Sequence, residues 1–287
     1  MVASTRPPSG GHPPSNDLYA LSLHNKIPIL DLEILLCHVL KIDRSFLKAH
    51  PENIISTEQA MKFHNLVSRR ADHEPIAYII GNKNFWDLNL LITKDVLIPR
   101  SETEILVEQA LEKLPRDSQA TILELGTGSG AIALAIAKHR PNTIVTATDI
   151  SMAALDVARI NAKNLNINNV NFLYGNWFEN FRSLNCKFNL IISNPPYITL
   201  NEINLCSQEI FYEPKLALFT SNNGLKCLEQ IIFASNDYLT ANGYILLEHG
   251  ADQASQIISL LRTAKFSDLE SFKDLSGLDR VVVAKKL

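Results

Sequence analysis

The tetrapeptide Asn194-Pro195-Pro196-Tyr197 directly follows the apolar run Leu190-Ile191-Ile192. A strand ending there delivers these residues to the carboxyl edge of a sheet, where ligands bind in open α/β folds. Each proline fixes φ and lacks an N–H donor. Asn194, preceding a proline, is pushed towards extended backbone. What remains is a stiff rim of acceptors, the Asn194 side-chain oxygen and the Pro195 carbonyl, with the flat ring of Tyr197 beside them. That rim suits a planar NH2 group. Such a nitrogen is a poor nucleophile because its lone pair is delocalised, strongly enough to give a peptide amide a rotation barrier of roughly 18–20 kcal/mol. Two acceptors that each take one N–H favour a pyramidal nitrogen with its lone pair aimed at an electrophile. The chemistry on offer is positioning plus electrostatic stabilisation in the transition state. The proton can leave after transfer, so no strong base is required. The plain alternative is a proline-rich turn with no ligand.

A second constellation lies upstream. Glu124-Leu125-Gly126-Thr127-Gly128-Ser129-Gly130 follows an apolar strand and opens an alanine-rich helix. Glycines there allow a tight turn and close approach of a ligand, and the helix start offers free N–H groups. Asp149 ends the next β-branched run, where a carboxylate can accept hydrogen bonds from both hydroxyls of a ribose. Read through Ala131, the string also fits a nicotinamide-dinucleotide fingerprint. Glu124 weighs against that, because an acidic side chain repels a pyrophosphate but can bind an ammonium group, directly or through water. S-adenosyl-L-methionine carries an amino-acid tail and a ribose and has no phosphate, so it suits Glu124 and Asp149 together.

These residues need a scaffold. Beyond Ser101 a helix is expected, and then strands and helices alternate. Strands are read at 120–125, 143–148, 171–174, 188–193, 244–248 and 280–284, and helices at 131–138, 151–164, 225–239 and 253–262, with Ser151 a helix cap. Such alternation predicts a mostly parallel sheet with helices on both faces. Residues 17–80 are read as a small domain of three to five helices, with an apolar stripe of Leu32, Leu35, Leu36, Val39 and Leu40 and a helix start at Ser56-Thr57 before Glu58-Gln59. Residues 81–99 are expected to form a hairpin linker, and 100–287 the catalytic domain. Residues 1–16, rich in Pro, Gly and Ser without an apolar stripe, are expected to be a disordered tail.

Composition excludes several classes. Hydrophobic residues make up 46% of the 287 and charged residues 20%, enough for a sizeable core and too apolar for global disorder. No apolar run approaches the length of a membrane span, and no apolar leader core is present. The formal net charge of -3 gives no overall attraction to a nucleic-acid backbone. Cys37, Cys186, Cys206 and Cys227 show no C-x-x-C spacing, so free thiols in a reducing cytoplasm are expected and no structural metal. A monomer contacting neither membrane nor nucleic acid is the expectation.

The glycine loop, Asp149 and Asn194-Pro195-Pro196-Tyr197 resemble the class I Ado-methionine methyltransferases that act on planar nitrogens. Further segments narrow the likeness: Glu74-Pro75-Ile76-Ala77-Tyr78-Ile79-Ile80-Gly81, Phe85-Trp86, Val96-Leu97-Ile98-Pro99-Arg100-Ser101-Glu102-Thr103-Glu104, Trp177-Phe178, Tyr212-Glu213-Pro214, Glu248-His249-Gly250 and Leu278-Asp279-Arg280. With these, the chain from about Asp17 onward resembles the peptide chain release factor N5-glutamine methyltransferases, the HemK/PrmC family. The resemblance implies a Rossmann-like seven-stranded sheet behind a helical domain. It implies methyl transfer from S-adenosyl-L-methionine to the glutamine of the Gly-Gly-Gln motif in class-1 release factors, its protein partners. It places Gly126, Thr127, Gly128, Ser129, Gly130 and Asp149 on the cofactor, Trp177 near the adenine, and Asn194, Pro195, Pro196 and Tyr197 on the substrate amide, with Asn194 also close to the cofactor. Ser101, Asn176 and Asn223 stand where the family usually has Pro, Asp and Asp.

Other readings remain open at this stage. An adenine-N6 nucleic-acid methyltransferase shares the Asn-Pro-Pro-Tyr motif and would flip a base into the same pocket. A nicotinamide-dependent oxidoreductase and a non-catalytic module on the same fold are further rivals. Glu102 and Glu104 either cap the helix after Ser101 or approach the active site. His249 is either a structural hydrogen-bonding residue or a catalytic one. Lys48, Arg69 and Arg70 form either a solvated face or a contact for acidic residues of a release factor.

Overall fold

A computed structural model describes residues 26–50, 55–205 and 207–287. The tail expected over residues 1–16 and Cys206 lie outside the described residues. The chain divides into two compact units, Met1–Ile80 and Gly81–Leu287.

The first unit holds helices α1 (Ile29–Leu40), α2 (Arg44–Ala49), α3 (Thr57–Ala71) and α4 (Ile76–Ile80). Leu32, Leu35 and Leu36 recur at helical spacing and are buried with Phe63, Val67 and Ile79 in a core of their own. Sequence chemistry sets the helix boundaries. The Asp43 side chain accepts from the Phe46 N–H at 2.6 Å to start α2. Ser56 and Gln59 form a reciprocal capping box at α3. Lys41, in the left-handed conformation, ends α1. Arg69 and Arg70 turn inward to pair with Glu74 and Asp31 at 2.8 and 2.7 Å. Their guanidinium groups are therefore engaged within the unit rather than presented as a bare basic face.

The second unit opens with an antiparallel hairpin, β1 (Asn82–Phe85) and β2 (Leu88–Leu91). Then come α5 (Glu104–Lys113), β3 (Thr121–Leu125), α6 (Ala131–His139), β4 (Ile144–Asp149), α7 (Met152–Asn164), β5 (Val170–Tyr174), β6 (Phe188–Ser193), α8 (Lys215–Leu218), α9 (Lys226–Tyr238), β7 (Leu239–Glu248), α10 (Ala254–Thr263), β8 (Phe266–Lys273) and β9 (Asp279–Lys286). Seven strands form one sheet in the order β5-β4-β3-β6-β7-β9-β8. The first five of that order run parallel, and β9 is antiparallel to both its neighbours. This is the expected class I methyltransferase architecture. From β3 the chain moves outward to β4 and β5 and then returns to the other side of β3 as β6. The carboxyl ends of β3 and β6 therefore flank the topological switch point, where open α/β sheets bind ligands.

Both faces of the inner strands are covered. Ile122, Leu123, Leu125, Ile191, Ile192, Ile245 and Leu246 are buried, and α6 is buried from Ala131 to Ala137. Asn161 of α7, 1% exposed, accepts from the Leu91 N–H at 2.7 Å and donates to the Ser129 carbonyl at 2.9 Å. It thus links the hairpin to the glycine loop.

Candidate active site

Gly126, Gly128 and Gly130 have φ of +75°, +55° and +84°. At these left-handed angles an L side chain is strained, so the loop between β3 and α6 requires its glycines. A Cβ on Gly128 would meet nothing within 4 Å, whereas one on Gly130 would lie 3.2 Å from the Ala158 Cβ. Gly128 is open to a ligand, and Gly130 is the packing glycine of the helix. Asp149, at the end of β4, accepts the Gly128 N–H at 2.8 Å through Oδ2 and the Ser151 N–H at 2.9 Å through Oδ1. Burial pushes its carboxyl up, opposed by N–H donors from Ser151, Gly128 and Ile150.

Glu124 sits beneath the loop, 1% exposed. Its Oε2 accepts from the Thr127 hydroxyl at 2.6 Å and from the Ala133 N–H at 3.1 Å. It therefore braces the turn from below and is absent from the cavity lining, whereas the sequence allowed it to bind an ammonium group directly or through water. Burial lifts its carboxyl to about 8, against the pull of those two donors. Near neutral pH it is largely uncharged, which removes much of its repulsion of a phosphate. What argues against a dinucleotide is then the rest of the site.

A cavity of about 510 Å³ opens at the switch point, bordered by Gly126, Gly128, Asp149, Trp177, Asn194 and Pro196. Its size falls within the roughly 300–1,000 Å³ usual for small-molecule sites. Thr127, Ser129, Gly130, Pro195 and Tyr197 do not border it; Thr127 and Ser129 are buried and shape the loop from behind. Trp177, with a φ of +48°, donates its Nε1–H to Gln230 Oε1 of α9 at 3.2 Å. Its ring edge stands 3.7 Å from where a Gly126 Cβ would be. An indole fixed beside glycine backbone is a suitable wall for a purine.

Asn194 Nδ2 donates to the Thr103 hydroxyl at 3.2 Å, so its Oδ1 is not engaged by that bond. Tyr197 donates its hydroxyl to Glu248 Oε1 at 3.3 Å, and burial pushes the phenol pKa up. The Tyr197 carbonyl accepts from Gln253 Nε2 at 3.1 Å, and Gln253 Oε1 takes the Gly250 N–H at 2.9 Å. A Cβ on Gly224 would fall 2.2 Å from the Tyr197 carbonyl oxygen, so this close approach needs a glycine. Opposite, Arg100 pairs with the buried Glu213, which also accepts the Ile98 N–H at 3.0 Å. That clasp joins the segment carrying Asp95, Val96 and Leu97 to the one carrying Pro214, Leu216 and Ala217, all at the cavity wall.

Sequence reasoning missed Thr103, Gln230, Gln253 and Gly224 as supports of the site. Thr103 lies within the quoted Val96–Glu104 segment but was given no role there, and each of the four acts through a partner brought close only by the fold. Glu104 accepts the Trp86 N–H at 2.7 Å and so anchors the hairpin turn instead of reaching the cavity. His249 is wholly buried with Nδ1 against the Gly250 carbonyl at 2.8 Å, a structural placement. Among the described residues no cluster of His, Cys, Asp and Glu could hold a metal, and no helix is long and apolar enough to cross a membrane.

Comparison with known proteins agrees with this geometry. Residues 20–81 match the PrmC N-terminal domain, and residues 101–224 the methyltransferase small domain. A release factor glutamine methyltransferase of Coxiella burnetii is 45% identical over 93% of this chain and 95% of that protein. Another from Buchnera aphidicola subsp. Acyrthosiphon pisum is 44% identical over 92% and 94%. A methyltransferase structure from Pyrococcus furiosus superposes with a TM-score of 0.53 at 17% identity, covering 81% of this chain and 99% of that one, which shows the fold.

Proposed function

The chain belongs to the release factor glutamine methyltransferase family, and from that premise we propose that it transfers a methyl group from S-adenosyl-L-methionine to the side-chain amide nitrogen (N5) of the glutamine in the Gly-Gly-Gln motif of class-1 peptide chain release factors. The observation that carries this reading is the orientation of Asn194 in the cavity wall. Its NH2 end is tied to Thr103, so its oxygen is left to accept from an NH2 group. The residues fit the cofactor: Asp149 for the ribose hydroxyls, the backbone at Gly126 and Gly128 for close approach, Trp177 for the adenine. Bound there, S-adenosyl-L-methionine supplies an activated methyl group. Asn194 Oδ1 at the cavity wall and, beyond the cavity lining, the neighbouring Pro195 carbonyl each accept one N–H of the glutamine amide as hydrogen bonds and favour its pyramidal form. Pro195 and Pro196 keep that rim rigid, and Glu248 holds the Tyr197 hydroxyl outside the cavity lining.

The adenine-N6 reading shares the tetrapeptide but is not favoured, since relatives named for a release factor match along nearly the whole chain. Action in the cytoplasm, on the termination machinery, as a monomer, belongs to the same proposal. The test is incubation with labelled S-adenosyl-L-methionine and release factor, followed by mass mapping. Label is expected on the Gly-Gly-Gln glutamine and lost when that residue is replaced by asparagine, which is one methylene too short. Asn194→Ala is expected to lower turnover by about 10²–10³, the effect of losing one preorganised contact, with less change in acceptor binding. Adenine in DNA proving the better acceptor would overturn the assignment.

A further inference from the structure

We propose that Gln253 is a positioning residue that holds the end of the Asn-Pro-Pro-Tyr segment and the adjoining cavity wall at a fixed separation, an inference that rests on the glutamine-amide reading above. Gln253 immediately precedes α10, yet its side chain makes no capping bond to that helix. Its amide is spent on three separate loops instead. Nε2 donates to the Tyr197 carbonyl at 3.1 Å and to the Asn223 carbonyl at 3.3 Å. Oε1 accepts the Gly250 N–H at 2.9 Å. Tyr197 ends the tetrapeptide after β6, Asn223 follows the wall residues Thr220 and Ser221, and Gly250 lies in the turn after β7.

The chemistry of these three bonds selects a glutamine. A neutral primary amide brings two N–H donors and a carbonyl acceptor on one planar group. A glutamate of the same shape brings acceptors only and would set its oxygens against two carbonyls. The surroundings are cut to fit the amide. Gly224 is buried with a φ of +81°, and a Cβ there would collide with both the Tyr197 carbonyl and Gln253 Nε2. A Cβ on Gly250 would stand 3.2 Å from Gln253 Oε1. Two glycines therefore leave the room through which the amide reaches its partners.

Backbone bonds continue the tie. The Ile198 N–H donates to the Leu218 carbonyl at 3.1 Å, and the Thr220 N–H to the Ile198 carbonyl at 2.9 Å. Pro196, just before Tyr197, and Ser221, close before Asn223, both border the cavity. The two carbonyls that Gln253 holds thus set the spacing between the acceptor rim and this wall. Pro195 and Pro196 have fixed φ and few torsions with which to absorb a displacement, so a shift at Tyr197 is passed back to Asn194. The cofactor contacts come from elsewhere. Gly126, Gly128, Asp149 and Trp177 lie at the ends of β3, β4 and β5, and the Gln253 side chain makes its bonds to none of them. Loss of the tie is therefore a loss of turnover before it is a loss of cofactor binding.

Isotope labelling of glutamine side-chain nitrogen tests the tie without any acceptor protein. The Gln253 amide signal, assigned by its loss in Gln253→Glu, is expected to show both Nε2 protons protected from exchange with water, and to lose that protection in Gly224→Ala. With release factor as acceptor, Gln253→Glu should lower kcat by about tenfold to a hundredfold, as a misplaced reacting group does, with S-adenosyl-L-methionine affinity and acceptor KM little changed. Gly224→Ala should lower kcat likewise. The double variant should lose no more than the worse single one, because both changes break the same tie. Additive losses in the double variant, a Gln253 amide that exchanges freely, or a Gln253→Glu variant that loses cofactor affinity with kcat intact would overturn the proposal. If Gln253→Glu does not fold, as melting and cofactor binding report, Gln253→Asn decides on the same measures, since its amide is one methylene short of both carbonyls. An unaltered chain that does not methylate the glutamine while its Gln253 amide stays protected would remove the acceptor assignment and leave the tie standing.

Discussion

Asp149 and Glu124 brace the glycine loop from opposite sides, and burial raises both carboxyls, but only Asp149 borders the cavity. Asp149→Ala is expected to weaken S-adenosyl-L-methionine binding by about 1–3 kcal/mol, since charge-assisted hydrogen bonds are lost. Part of that cost arises in the loop, because the Gly128 and Ser151 N–H groups lose their acceptor. Unchanged affinity in calorimetry would refute the ribose role. Glu124 acts on stability instead. Its folded pKa of about 8 stands above the ordinary 4.5. The folded state thus holds a proton that the unfolded state gives up, and stability falls as pH rises between those values. Its contribution is fully present below 4.5 and lost above about 8. Glu124→Gln keeps the shape and cannot ionise. Denaturant titrations should show the variant gaining on the unaltered chain as pH rises through that window. A stability difference independent of pH would show that the buried carboxyl does not carry the effect.

At the scale of elements, the last two loop glycines, Gly128 and Gly130, separate packing from binding. Gly130→Ala places a Cβ 3.2 Å from Ala158 and forces a φ of +84° on an L residue, so a loss of about 1–3 kcal/mol in stability is expected. Gly128→Ala carries the backbone strain without a clash, and its Cβ enters open space at the cavity wall. Thermal melts should rank Gly130→Ala as the less stable, and calorimetry should rank Gly128→Ala as the poorer cofactor binder for its stability loss. The reverse order on both would contradict this division. These loops, and most of the elements that carry them, were legible because chain-local signals specify them. The run Phe188–Ser193 reads as a strand from its apolar residues, and Ser151 caps α7 with its side chain on the Ala154 N–H. The strand Phe266–Lys273 was not legible. It lies at the sheet edge with half of its residues exposed and only Phe266 buried, so it carries no apolar run to betray it. The start of β7 at Leu239 escaped for a related reason: Thr240, Ala241 and Asn242 are not buried. The segments holding Thr103 and Asn194 were legible as motifs, but the bond between the two side chains was not, because they stand 91 residues apart and meet only in the fold.

At the scale of the whole molecule, the residues assigned to the cofactor and to the acceptor amide all lie in Gly81–Leu287, while α1 to α4 have a separate core. A protein acceptor needs a surface of about 800 Å² on each partner, far more than a cavity mouth built for one side chain. We infer that the helical unit supplies recognition of the release factor. Arg69 and Arg70 are spent on Glu74 and Asp31, so simple attraction by those two charges is not the means. Phe46 and Met61 remain exposed there and offer apolar area that a folded partner could cover. Removal of residues 1–80 is therefore expected to leave S-adenosyl-L-methionine affinity largely intact, which also reports that the remainder has folded. Methylation of a whole release factor should fall steeply, through KM more than kcat, because the lost contacts act equally on ground and transition states. A short peptide bearing Gly-Gly-Gln never makes those contacts, so its methylation should change little. Equal losses on peptide and whole factor would place recognition in the catalytic unit instead.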